Sequence, residues 1–499
     1  MRRRFAGGPV TPWQIIAFGL TGGQIPRPAS IAVLLICMQL KNLSPGLVPV
    51  LRFGIGPALT PVSAGVLAAL GIPALTEYLV RRRRVPGAPG GKAAMKKVQA
   101  PGQAGAPVDR SAISRTVWAL GLVSMFMDIS SEMIHALLPL FLTGTLGASV
   151  AMVGLIEGIG ESTAQVVKVF SGHMSDRLGR RKPLILLGYG LGAVSKPFFA
   201  LAGAPGMVLA ARFADRVGKG MRGAPRDALV ADVTPLEIRG RAYGLRQALD
   251  TVGAFVGPLL AIALMALLAD DMRAVFWIAL VPGLLAVLCV AAGVEDRSAG
   301  LAEGSRPPPV RLGDLGQLGR PFWGVVAIGV IFTLARFSEA FLVLKAHGEG
   351  LPLALAPLVL VAMNVVYALA AYPAGAWSDR APPERLLLGG LALLVAADVV
   401  LAFVPGLGGA FLGIALWGGH MALTQGLLAK LVAEHAPPAL RGSAFGLFNL
   451  ATGLASLAAS LAAGLLWDAG GARATFVAGG VFALLATGLV VVSSRHREA

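Results

Sequence analysis

From Arg115 onward the chain is a train of apolar runs, each about long enough to cross a bilayer, joined by short connections that alternate in charge. We count twelve such runs, centred near residues 128, 160, 193, 218, 252, 282, 332, 364, 395, 420, 453 and 482. With 56% hydrophobic and 14% charged residues in 499, no soluble domain of this size could hide the apolar surface. The class is an all-α polytopic membrane protein. Every second connection is basic: Arg177 to Lys182, Arg239 and Arg241, Arg297 to Arg320, Arg380 and Arg385, Arg441, then Arg495 and Arg497. Those connections are expected in the cytoplasm, with both termini inside an inner membrane. On the opposite side Arg273, Lys345 and Arg473 are the exceptions. The net charge of +17 therefore reads as an orientation signal and not as a face for nucleic acid. Cys37 and Cys289 are too few and too scattered for a disulfide framework or a cysteine metal site.

Connection lengths divide the chain. Residues 1–84 hold about two further membrane segments, a hairpin bounded by Arg2 to Arg4 and Arg81 to Arg84, and residues 85–112 form a flexible linker rich in Pro, Gly, Ala and Lys. Residues 113–294 make a first six-helix bundle, 295–320 a cytoplasmic linker, 321–493 a second six-helix bundle and 494–499 a polar tail. The two sixes repeat one another. Arg239-Gly240, Ala242 and Gly244-Leu245 are echoed by Arg441-Gly442, Ala444 and Gly446-Leu447, and Ser131-Glu132 in the first run by Ser338-Glu339 in the seventh.

The connection after the second run is the charged hinge Gly172, Asp176, Arg177, Gly179, Arg180, Arg181 and Lys182, and a weaker copy, Gly375, Asp379 and Arg380, follows the eighth. Two such hinges between apolar runs point to a duplicated membrane unit. An aspartate there can pair with a neighbouring arginine or with a helix N-terminus, a latch favouring one arrangement of the two halves. The fifth run carries Gly244, Gly253, Gly257 and Pro258, suited to close packing or to a bend.

On these motifs residues 115–495 resemble the major facilitator superfamily of secondary transporters. The resemblance implies a twelve-helix fold of two pseudo-symmetric six-helix bundles rocking about a central path. The hinge is similar to that family's signature loop, and Gly253 with Gly257 and Pro258 to its antiporter motif, although Ala261 and Ile262 stand where a closing glycine pair is usual. Asp128-Ile-Ser-Ser-Glu132, Gly154-Leu-Ile-Glu157 and Gly218-Lys219 to Asp227 are similar to the nickel-resistance branch of facilitator exporters. Residues 19–65 resemble part of the nickel/cobalt exporter family, with Arg27 where a cysteine is usual and without that family's metal-binding helix.

Charges inside the spans indicate the cargo, because each is costly there and faces a bundle interior or water. Asp128, Glu132 and His135 fall on one face of the first helix, Glu157 and Glu161 lie one turn apart in the second, and Asp250 is in the fifth. Carboxylates and imidazole at this spacing can bind a divalent metal, with Asp128, Glu132 and His135 as ligands, or relay protons. The fourth run opposes them with Arg212, Asp215, Arg216, Lys219, Arg222, Arg226 and Asp227, and Lys168, Lys196 and Arg246 lie in its neighbours. Three readings stand: a salt-bridged structural network, a carboxylate site for protons or metal cations, and an anion site on the fourth helix. In the second half Asp398 and His420 are possible substrate contacts, and Arg336 with Glu339 a local pair in the seventh helix. No cofactor, hydrolase or nucleotide-loop constellation is present, so an ion gradient must supply the energy. The expected function is proton-coupled efflux of nickel, cobalt or iron by a monomer that is not an enzyme. Export of an organic molecule and a non-transporting scaffold or sensor are the alternatives.

Overall fold

In the computed structural model, residues 113–178, 180–235, 238–295, 318–378, 381–424, 427–437 and 440–498 are described. The N-terminal hairpin, its linker, Gly179, Asp379, Arg380 and most of the 295–320 connection lie outside them, as do the side chains of Asp176 and Arg177.

Among the described residues twelve crossings follow one another. The first half holds α1 (Arg115–His135, extended by Leu138–Leu140 and a π-turn at Phe141–Thr145), α2 (Val150–Leu178), α3 (Lys182–Leu201), α4 (Pro205–Asp232), α5 (Arg239–Leu267) and α6 (Met272–Gly293). The second holds α7 (Arg320–Ala335, resumed at Ala340–Gly348), α8 (Leu358–Ser378), α9 (Pro383–Phe403) and α10 (Gly406–Thr424, resumed at Leu427–His435). A last helical run, Arg441–Glu498, is broken at Gly471, where φ is +70° and ψ is −174°. We number its two parts α11 and α12.

Hydrocarbon offers no partner for a backbone amide, so each crossing satisfies its own ladder and the ends need caps. Ser114 caps α1 by accepting from the Val117 amide, and Asp271 caps α6 by accepting from Arg273 and Ala274 at 2.9 and 3.1 Å. Prolines open α3, α4, α7 and α9, where a missing amide costs nothing. Among the described residues ten stretches are long and apolar enough to cross a membrane. One of them, 444–492, contains the Gly471 break and crosses twice. Helix α4 is absent from the ten because its own charges disqualify it.

Within the first half α1 packs on α5 and α6, α3 on α4 and α6, and α2 on α4. Within the second, α7 packs on α11, α9 on α10 and α12, and α8 on α10. The halves meet through α2 against α11 and α5 against α8. Helices α3, α6, α9 and α12 turn large apolar side chains outward, among them Leu187, Phe198, Leu284, Leu288, Val399 and Leu485. That belt is the lipid-facing surface of a multi-pass protein.

The three cations that broke the alternation each have a local partner. Arg273 donates to the Ala200 and Ala202 carbonyls at 2.6 and 2.7 Å and closes the end of α3. Lys345 pairs with Glu349, and Arg473 lies 4.6 Å over the Phe403 ring. One expectation needs correction: Arg336 and Glu339 do pair, at 3.9 Å, but not on a continuous helix, because α7 is interrupted between Ala335 and Ala340.

Candidate functional site

Helix α4 supplies the frame of the site. Its charges recur every three or four residues from Arg212 to Arg226, so they lie along one stripe. The stripe turns toward α1, α2 and α3, and the buried Arg212, Asp215 and Arg216 on it each meet an opposite charge. Arg212 donates to Glu157 of α2 at 2.7 Å and lies 2.9 Å from the His135 ring Nδ1. Arg216 pairs with Glu161 at 3.0 Å. Lys196 of α3 donates to Asp215 at 2.9 Å and to the Ser131 hydroxyl at 3.1 Å. Arg212, Glu157, Lys196 and Asp215 are all buried, so these are desolvated pairs, and their charges are mutually dependent.

A second cluster lies toward the hinge end of the same half. Arg226 donates to Ser124 at 2.8 Å and pairs with Asp227 at 3.2 Å, and it stands 3.9 Å from Asp250. Arg246 approaches Asp227 and Asp250 at 3.8 and 3.9 Å. Arg222 lies 4.6 Å from the Tyr189 ring centre. Helix α5 presses onto α1 beside this cluster. A Cβ added at Gly253 would stand 2.5 Å from the Met125 carbonyl oxygen, and one at Gly257 would stand 2.8 Å from Glu132 Cβ. Glycine is required there because α5 and α1 touch backbone to backbone, with Pro258 buried in the next position.

The sequence-predicted site residues are thereby separated. Glu157, Glu161, Arg216, His135 and Asp250 are engaged in ionic or hydrogen-bonded contacts. Among the described residues Asp128 and Glu132 make no ion pair within 4.0 Å. Both are partly exposed. Asp128 looks toward Asp250 and Lys219, and Glu132 toward Lys219, Arg216 and Arg212 and across to Glu339 of the second half. Lys219 is exposed. The proposed ligand trio of Asp128, Glu132 and His135 is not assembled: His135 is drawn to Arg212 and Glu157, and among the described residues no three His, Cys, Asp or Glu converge on a point that could hold a metal ion.

The interruption of α7 brings in residues to which sequence reasoning assigned only a local pair. The Ser338 hydroxyl donates to Glu157 at 3.4 Å, across the two halves, and Glu339 faces Glu157, Glu161 and Lys219. The available signal was the Ser131-Glu132 echo at Ser338-Glu339, which marks equivalent positions on opposite sides of one space.

The second half offers packing where the first offers charge. His420 donates from Nδ1 to the Gly390 carbonyl at 3.0 Å and stacks near Phe332. The rings of Phe337, Phe341, Trp417, Trp467 and Phe476 pack on one another. Asp398 is buried, and a Cβ added at Gly479 would stand only 3.0 Å from its Oδ2. At the hinge end Arg181 pairs with Asp232 at 2.5 Å and donates to Ser175 at 2.9 Å, tying the loop to α4 of its own half.

Comparison with known proteins agrees with this architecture. The sequence profile of the Major Facilitator Superfamily matches residues 120–458 and 349–499. An uncharacterised MFS-type transporter of Methanocaldococcus jannaschii is 30% identical over 387 residues, covering 76% of this chain and 95% of that protein. A 72-residue stretch is 58% identical to the nickel/cobalt efflux system RcnA of Escherichia coli, covering 14% of this chain and 26% of that protein. Among solved structures, a bacterial homologue of the human lysosomal transporter Spinster, inward-facing and occupied, superposes with a TM-score of 0.61 at 17% identity, covering 76% of this chain and 96% of that one. At that identity the likeness concerns the fold.

Proposed function

Because this chain belongs to the major facilitator superfamily, we propose that it exports a divalent metal cation, nickel, cobalt or iron, in exchange for protons. It is a multi-pass secondary transporter of small solutes or ions. The observation that carries the finer reading is the pair Asp128 and Glu132. Of the acids on the first-half helices they alone, among the described residues, stand outside ion pairs, and both are partly exposed, with Glu132 looking across to Glu339 of the second half. Carboxylates outside ion pairs in such a space attract a cation or a proton, and the cargo meets oxygen ligands. Glu157 and Glu161 are structural partners of Arg212 and Arg216 in this reading, and Glu339 faces Glu132 from the second half. The stretch shared with RcnA supports the metal assignment. The hinge residues Gly172 to Lys182 and their copy Gly375 to Arg380 bias which end of the path opens, with the hinge in the cytoplasm of a monomer.

Nickel and cobalt tolerance of cells expressing the wild type, Asp128→Asn or Glu132→Gln, read beside a panel of organic toxins, tests the proposal. Wild type is expected to raise metal tolerance and both variants to lose it. Metal tolerance equal to that of an empty vector, with or without protection against an organic compound, would end the metal reading.

A further inference from the structure

The seam between α2 and α11 has a feature that the hinge motifs do not foretell. Helix α2 begins at Val150, on the side of the membrane opposite the hinge, and its first amides need acceptors. Ser149 takes the Met152 amide on its side chain at 3.2 Å. The Val150 and Ala151 amides donate instead to the two carboxylate oxygens of Asp468, at 3.0 and 2.9 Å. Asp468 stands at the end of α11, in the other half of the molecule and 318 residues away from Val150. A carboxylate at this position satisfies two amides and complements the positive end of the α2 dipole.

The surrounding seam has no slack. A Cβ added at Gly464 would stand 2.6 Å from the Ala151 Cα, and one at Gly154 would stand 2.0 Å from the Ser460 carbonyl oxygen. Separating the halves at this end therefore removes both amides from Asp468. Helix α5 adds a second contact on the same side, against residues 353–355 that precede α8.

We infer that Asp468 is a capping latch that holds the halves shut on the side opposite the charged hinge, and that its release from the α2 N-terminus accompanies opening there. The inference rests on the alternating-access reading. It names the residue that sets the balance between the two states. An aspartate binds as a full charge, whereas an asparagine can accept with one oxygen only and adds no charge at the dipole.

The test uses the full chain in membranes, with Cys37 and Cys289 replaced by serine and a reporter cysteine at Ser460, a residue 2% exposed in the seam. A membrane-impermeant maleimide labels Ser460→Cys only when this end parts. Adding Asp468→Asn is expected to speed labelling about five- to tenfold, with Asp468→Glu closer to the parent. Amide exchange of a peptide spanning 150–158 should accelerate in parallel. Equal labelling and equal exchange in the parent and in Asp468→Asn would overturn the latch. Both readouts report opening whether or not a solute is moved. A protein that fails to export metal yet shows the Asp468 effect contradicts the functional reading and leaves the latch standing.

Discussion

Arg212 and Glu157 offer a direct measure of how far the charge network holds the first half together. Both side chains are 2% exposed or less, and they meet at 2.7 Å. Replacing Arg212 by Met leaves the Glu157 carboxylate buried beside the Ser338 hydroxyl at 3.4 Å and a histidine ring nitrogen at 3.8 Å. Stranding one member of a buried pair costs about 3–5 kcal/mol. Glu157→Gln strands the guanidinium in the same way, with His135 at 2.9 Å unable to neutralise it. Removing both together leaves neither charge behind, and the double variant should come within about 1 kcal/mol of the parent. The coupling energy would then be several kcal/mol, far above the 0.5 kcal/mol or so expected of independent sites. Denaturant titration of the four proteins in detergent, followed by helical circular dichroism, measures it. Additive losses would refute the argument, since they would mean that each side chain acts through other contacts.

Other expectations follow from the same geometry. Gly257→Val should lower the yield of folded protein sharply, because the added atoms meet Glu132 Cβ at 2.8 Å and the Ile129 carbonyl oxygen at 2.9 Å; size-exclusion profiles after extraction check this, and a normal profile would show that α5 and α1 can part freely. Arg273→Met should fray the end of α3, seen as faster amide exchange around residues 199–203, because two carbonyls lose their donors. Outside the spans, Lys345 and the Gly406 amide hold the Glu349 carboxyl below its ordinary range. A depressed folded-state value means that this contribution is present above the unfolded carboxylate's range and is lost as pH falls through the folded one. Glu349→Gln should therefore flatten the acid limb of a stability profile and leave the steepness near neutrality unchanged.

The crossings were legible because lipid imposes one rule on every span, and the Arg and Lys alternation survived even where α4 is too polar for a hydropathy criterion. The break in α11 and α12 was legible as two apolar runs on either side of Gly470-Gly471. The interruption of α7 was not: Arg336, Phe337, Ser338 and Glu339 include neither glycine nor proline, yet the helix stops at Ala335 and Ser338 there reaches Glu157 of the other half. The composition of the site was legible as a surplus of acids and bases on a few helices. Its wiring was not, because spacing along a helix says which charges share a face and nothing about which neighbour approaches that face. His135 thus belonged by spacing with Asp128 and Glu132, and by packing it belongs with Arg212. Asp468 carried no signal of its own, since a cap across 318 residues exists only once α2 and α11 lie side by side.

The polarity of α4 bears on how the protein is made. Offered to the membrane in isolation, a segment with eight ionisable side chains would be rejected, at a cost of about 2.5–3.5 kcal/mol for each charge near its centre. Yet His135, Glu157, Glu161 and Lys196, which receive Arg212, Asp215 and Arg216, all precede it in the chain. They emerge from the ribosome first, so a receptive surface can already be waiting in the bilayer when this most reluctant segment arrives.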